Sequence, residues 1–321
     1  MVSNELMNLN YDYNQDIIAG LIADKRSAAT KREYEKDLRN FFFTIYNQDL
    51  NQALVSSFLS LDQMKANGIV LKYKAALMSN GLKEATINRR LSAIKSLAAY
   101  ARKIGVSTLN FSDIQGEKVA TYRDTSGIDT LQMGKVLRVP DQSTLKGKRD
   151  YSILRLLWEN ALRRGEIINA NISDFNPQEQ TLYILGKGKG TQKQAIDLSE
   201  ETTQAIYSWL SERGETDLNA PLFVSLDNFS KGHRLTGYGI YKIVQDITQK
   251  AGITKHMSPH RFRHSSITAA LEATNGNVTL VKQLSRHSKV ETLMIYNDHR
   301  EKQQKKVTQL LSQIIINEKT L

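Results

Sequence analysis

The sequence predicts a mainly α-helical protein with a small β-hairpin, divided into an N-terminal helical bundle and a C-terminal mixed α/β domain. Three observations lead there. The chain has 321 residues, and domains usually hold roughly 100–200 each. Its four prolines stand at 140, 177, 221 and 259, so the first 139 residues are free to form long helices. The hydrophobic period turns from helical to alternating between residues 181 and 198 and then returns to helical.

In the first half, Tyr34, Leu38, Phe41, Phe42 and Ile45 recur at helical spacing and predict a helix from Thr30 to about Tyr46. Shorter helices are expected over 52–60 and 63–80, with Gly81 as a stop. A further helix runs from Ala85 or Thr86 to Ile104, with Gly105 just past its end. Its apolar stripe is Ile87, Leu91, Ile94, Leu97, Ala98 and Ala101, and its other faces carry Arg89, Arg90 and Lys95. The expected organisation is an N-terminal extension over 1–24, a helical domain over 25–108, a linker over 109–128, a second domain over 129–300 and a tail helix over 301–321. The linker rests on a stretch poor in periodic apolar residues that ends in Asp124-Thr-Ser-Gly127.

The second domain resumes helical pattern at Tyr151–Trp158. Thr181–Leu185 and Gln194–Leu198 read as two strands around a Gly/Lys-rich turn. Helices are expected over 200–213, 236–251, 259–273, 277–285 and 288–299. In the tail, Val307, Leu310, Leu311, Ile314 and Ile315 make an amphipathic stripe that docks either on its own domain or on a neighbouring subunit.

Net charge is +11, which favours a polyanionic partner, with a solvated basic surface as the alternative. The absence of cysteine excludes a disulfide framework, a Cys-zinc site and thiol catalysis. The start lacks a basic segment followed by an apolar one, and no apolar run approaches the roughly 20 residues of a membrane span. The expectation is a soluble cytoplasmic protein with no membrane partner.

Several motifs bear reactive groups, and each taken alone reads as ordinary structure. Ser258 and Pro259 suit the start of a helix that carries His260 and Arg263 three residues apart. Arginine matches phosphate as a planar fork, but for this motif alone a capped surface helix with a stray basic pair is the favoured reading. Arg163 and Glu166 have the spacing of an intrahelical ion pair. The Gly186–Gly190 turn holds Lys187 and Lys189, and hairpin geometry explains its glycines. It lacks the Gly-Lys-Ser/Thr ending of a phosphate-cradling loop. Tyr296 is one of thirteen tyrosines, nine residues after His287.

In combination these pieces resemble the tyrosine recombinase, or lambda-integrase-type, family, which includes the Xer resolvases. The family's Gly-Leu-Arg-x-x-Glu is matched by Ala161-Leu162-Arg163-x-x-Glu166, and its Gly-Lys-Gly hairpin by Gly186-Lys187-Gly188. Its His-x-Leu-Arg-His is matched by His260-x-Phe262-Arg263-His264, and its Leu-Gly-His box by Ser285-Arg286-His287, with Tyr296 in the nucleophile's place. Ala161 and Arg286 depart from glycine. The first domain resembles the family's SAM-like core-binding bundle in Ala29–Tyr34 and Thr86–Leu91.

The resemblance implies a catalytic set of Arg163, Lys187, His260, Arg263, His287 and Tyr296, with Glu166 orienting a catalytic side chain. Counting forward from Arg163 favours Lys187 as the family lysine, and counting back from Leu198 favours Lys189; Lys187 is preferred. Lys189 joins Arg89, Arg90 and Lys95 as expected DNA contacts. The implied chemistry needs no metal or other cofactor. Tyr296 attacks phosphorus, a 3′-phosphotyrosyl intermediate conserves the ester bond, and a 5′-hydroxyl reverses the attack. The implied partners are double-stranded DNA with an inverted-repeat core site, gripped with one domain on each face, and three further copies forming a homotetramer on two sites. The competing readings are a type IB topoisomerase-like or hairpin-forming DNA enzyme, and a catalytically silent architectural DNA-binding protein. The second of these gives no chemical reason to retain both arginines and Tyr296.

Overall fold

The computed structural model describes residues 16–119, 127–186 and 190–287, together with 290, 293, 308, 309 and 311–313. The chain divides into two compact units, Met1–Arg123 and Asp124–Leu321.

The first unit is all helix: α1 (Ile17–Ala23), α2 (Ala28–Tyr46), α3 (Gln52–Leu59), α4 (Gln63–Ser79) and α5 (Glu84–Lys103). Local chemistry sets the starts and stops. The side chains of Asp16, Ser27, Asn51 and Asp62 accept hydrogen bonds from the first free N–H groups of α1 to α4. Asn47, Gly81 and Gly105 take left-handed conformations just past α2, α4 and α5. The expected α5 stripe is wholly buried. It packs with an aromatic cluster in which Phe41 meets Phe42, Phe58 and Tyr73 edge-on at centroid distances of 5.0 to 5.2 Å.

Two expectations need correction here. Part of the expected N-terminal extension is α1, whose Ile17, Ile18 and Leu21 are buried in the core of this unit. The expected linker also begins too early. Leu109, Phe111 and Ile114 belong to the same core. Asn88 then pins the chain by donating to the Glu117 carbonyl at 2.8 Å and accepting from the Glu117 N–H at 2.6 Å.

The second unit comprises α6 (Thr130–Leu137), α7 (Leu145–Glu159), α8 (Arg164–Ile168), a 3₁₀ turn (Ile172–Asp174), β1 (Phe175–Asn176), β2 (Thr181–Leu185), β3 (Lys193–Asp197), α9 (Glu200–Arg213), α10 (Gly237–Lys250), α11 (Pro259–Ala273) and α12 (Val278–Ser285). The strands form an antiparallel sheet in the order β1-β2-β3, with Tyr183 opposite Ala195. Leu182 and Ile184 of β2 face the core beside Leu154, Leu157, Ile206, Trp209 and Phe223.

The sequence reading missed α6, β1 and the first six residues of α7. The start of α7 is polar, and its Arg149 and Asp150 are buried against each other at 2.7 Å. Periodicity of apolar residues does not register a buried ion pair. The helix 288–299 and most of the tail lie outside the described residues. Within them, Val290 and Leu311 are exposed.

Candidate active site

The site is assembled at three junctions in the second unit. The first follows α7. The chain reverses through Asn160 and Ala161, and Leu162 N–H returns to the Leu156 carbonyl at 3.2 Å. Arg163 then caps α8 instead of lying within it. Its N–H donates to Glu166 Oε2 and its Nη1 to Glu166 Oε1, both at 2.8 Å. The expected intrahelical pair is thus a capping arrangement, with Glu166 only 2 % exposed. One carboxylate fixes both the main chain and the guanidinium of Arg163, while the Arg163 side chain stays 29 % exposed.

The second junction is the start of α11. Ser258 accepts from the Arg261 N–H at 3.2 Å, and Pro259 occupies the first turn. Arg263 is 1 % exposed. Its Nη1 donates to the Ala161 carbonyl and its Nη2 to the Ser285 carbonyl. Nη2 also meets His287 Nε2 at 3.3 Å. A guanidinium only donates, so His287 Nε2 accepts here and the ring proton sits on Nδ1. His260 does not share the buried face of Arg263. It is exposed, and its Nε2 meets Nε2 of the buried His264 at 3.0 Å. The sequence reading had given His264 no role beyond the motif.

The third junction is the end of α12. Arg286 occupies the left-handed region at φ 53, as does Ala161 at φ 47. These are the two positions where the sequence departs from the family's glycine. Both keep a glycine-like backbone despite bearing a Cβ, at a cost of roughly 1–2 kcal/mol per residue. The Arg286 carbonyl accepts from Arg163 Nη2 at 3.4 Å. The Arg286 side chain reaches Glu166 Oε2 at 3.2 Å and the Asn160 and Ala161 carbonyls at 3.0 and 3.2 Å. Three arginines and one carboxylate therefore form a single network, and sequence reasoning anticipated only two of those arginines.

This cationic setting controls the histidines. Burial, reinforced by the charges of His260 and Arg263, pushes the His264 imidazole down to about 3. Burial, then Arg263 and Arg163, pushes His287 down to about 4. Both rings are neutral at pH 7.

Beyond the junctions, Leu293 is buried with Ala161, Ile267, Leu271 and Val281. Lys187, Lys189 and Tyr296 lie outside the described residues. In the first unit, two of the residues expected to contact DNA are engaged internally. Arg89 Nη1 donates to Glu33 at 2.8 Å and to the buried Asp37 at 2.5 Å. Arg90 Nη1 donates to Asn40 at 2.5 Å, the same oxygen that accepts from Tyr73 at 2.6 Å. Lys95 is half-buried on the same helix.

Comparison with known proteins identifies the family. The model of the phage integrase family matches residues 128–303, and that of the phage integrase N-terminal SAM-like domain matches residues 18–105. The chain is 47 % identical to the tyrosine recombinase slr0733 of Synechocystis, over 94 % of this chain and 96 % of that one. It is 43 % identical to the tyrosine recombinase Synpcc7942_B2651 of Synechococcus elongatus, over 94 % of each. In fold it is similar to the XerH site-specific recombinase crystallised with a palindromic difH substrate, at a TM-score of 0.59 and 17 % identity over 94 % of this chain and 95 % of that one. With its arginine network built on a helical scaffold and a family match spanning both units, this chain belongs to the tyrosine recombinases of the phage integrase family and is a site-specific DNA recombinase.

Proposed function

We propose that the enzyme cleaves and rejoins DNA through a 3′-phosphotyrosyl intermediate formed by Tyr296, with Arg163 and Arg263 holding the scissile phosphate. The observation that carries this is the convergence of Arg163, Arg263 and His287 from three separate junctions onto one small volume. Preorganised donors of this kind stabilise the charge that builds on phosphoryl oxygens in the transition state, and no reorganisation is needed at the moment of reaction.

Arg163, the more exposed of the two, receives the phosphate first. A phosphate oxygen is a stronger acceptor than neutral imidazole, so it takes the place of His287 Nε2 on Arg263 and leaves His287 beside the reacting group. A tyrosine hydroxyl ordinarily has a pKa near 10, and His260, exposed at the start of α11, assists its loss of a proton. Lys187 protonates the departing 5′ oxygen. The burial of Leu293, three residues ahead of Tyr296 in the sequence, with Ala161 supports Tyr296 as the nucleophile. No step of this scheme passes through a metal.

The enzyme works in the cytoplasm as a homotetramer on two copies of an inverted-repeat duplex site, and the 301–321 tail docks on its own domain or on the neighbouring subunit. Lys95 and Lys189 contact DNA. Arg89 and Arg90 act there through the shape of the α2–α5 pair, because their guanidiniums are held by Glu33, Asp37 and Asn40. The test is a plasmid carrying two copies of the duplex site that the protein selects from random-sequence DNA. Exchange between the sites yields two circles with the wild type and none with Tyr296→Phe. Relaxation of a site-free plasmid, with no exchange on the two-site plasmid, contradicts the proposal.

A further inference from the structure

Arg286 stands where the family box has glycine, in a backbone conformation that favours glycine. The left-handed turn at the end of α12 therefore does not call for this side chain. Solvent does not call for it either, because the side chain is 11 % exposed. A buried guanidinium in such a place needs partners for its donors, and Nη1 and Nη2 of this one find specific acceptors, while its Nε faces none among the described residues. They are the Asn160 and Ala161 carbonyls, on the turn that delivers Arg163; the Leu284 carbonyl, at 2.7 Å on the turn that delivers His287; and Glu166 Oε2 at 3.2 Å. Arg163 answers by donating to the Arg286 carbonyl at 3.4 Å. The two turns are thus tied in both directions, with Glu166 in the middle.

We propose that Arg286 is a positioning residue for DNA cleavage: it locks the Arg163 turn to the His287 turn and shares the Glu166 carboxylate, so that Arg163 is oriented by Glu166 without being neutralised by it. The inference rests on the reading that Arg163 holds the scissile phosphate. Its physical basis is the charge balance. Glu166 facing Arg163 alone would form a closed pair of little net charge. Glu166 facing two guanidiniums leaves a net positive charge beside the exposed edge of Arg163. Around metal centres, outer partners that orient a ligand govern activity by about 10–100-fold, and a loss of the same order is expected here.

The test compares wild type with Arg286→Gly and Arg286→Lys in single-turnover cleavage of a nicked suicide duplex carrying the selected site. Glycine removes the side chain and suits the left-handed backbone, which offsets part of the stability lost with the Arg286 hydrogen bonds, so Arg286→Gly stays folded at the assay temperature and binds the duplex within about 2-fold of wild type, while its cleavage rate falls by roughly 10–100-fold. Arg286→Lys restores the charge without the planar fork and lies between the two. Glu166→Gln and Arg286→Gly act through one network, so the double variant loses less than the product of the single losses. The inference is overturned if Arg286→Gly cleaves at the wild-type rate, if its loss of cleavage is matched by an equal loss of duplex binding or by unfolding at the assay temperature, or if the two losses multiply in full. Failure of the wild type to cleave removes the reading of the site along with this inference. Wild-type cleavage with an indifferent Arg286→Gly removes only the inference.

Discussion

His264 and His287 show how the surroundings of a residue decide its chemistry. His264 is buried and His287 half-buried near Arg263 and other cationic groups, so the folded state resists protonation down to about pH 3 and 4, while a free histidine titrates near 6.5. Between those values the unfolded chain binds more protons than the folded one, and stability therefore falls as pH is lowered through that window. The expected result is a Tm that declines from about pH 6.5 toward pH 4, with a shallower slope in His264→Asn; equal slopes would remove this account of His264. Arg89 leads to a different expectation. It supplies a hydrogen bond to the buried Asp37, whose carboxyl is already pushed above the usual carboxylate range by burial against the pull of Arg89. Arg89→Ala is expected to cost about 1–3 kcal/mol of stability, measured by urea denaturation. A variant with unchanged stability and weaker DNA binding would instead make Arg89 a direct DNA contact. At this scale the sequence was partly legible. The family resemblance singled out Arg163, Glu166, Arg263 and His287, and the structure brings these four side chains into one network. The direction taken by the Arg286 guanidinium was not legible, since it depends on a left-handed turn and on two carbonyls more than a hundred residues away.

At the scale of elements, apolar periodicity located α2, α4, α5, α9, α10 and α11 well, since each buries one stripe. It failed where burial is polar or the element short. In α7, Gly147 approaches the Asp141 backbone so closely that an added Cβ would sit 1.8 Å from its carbonyl oxygen. Gly147→Ala must therefore shift the turn before α7, at an expected cost of about 1–3 kcal/mol. Thermal unfolding checks this, and an unchanged Tm would mean that the turn yields freely. Helix α1 has seven residues and no sequence signal beyond Asp16 and a short apolar run, yet three of its residues reach the core. In the segment after α5, an Asn88 clasp on Glu117 does what periodicity would do in a helix.

For the molecule as a whole, a net charge of +11 and a family match across both units predict duplex binding dominated by phosphate contacts. The logarithm of the binding constant should fall linearly with the logarithm of salt concentration, with a slope of about −0.9 for each phosphate neutralised. Fluorescence titration from low to high salt measures it, and a flat dependence would contradict a backbone-gripping enzyme. The comparisons do not favour the topoisomerase-like and architectural alternatives, because the tyrosine recombinases of Synechocystis and Synechococcus elongatus match over 94 % of the chain.

The central claim is that one phosphate held by Arg163 and Arg263 is attacked by Tyr296. It is tested most directly by trapping the enzyme on a nicked suicide duplex and locating the nucleotide-bearing residue by peptide mass spectrometry. The account predicts a 3′-linked nucleotide on the tryptic peptide that contains Tyr296, and no adduct from Arg163→Ala or Tyr296→Phe. A covalent adduct mapped to any other residue, or an undiminished adduct from Tyr296→Phe, would contradict it.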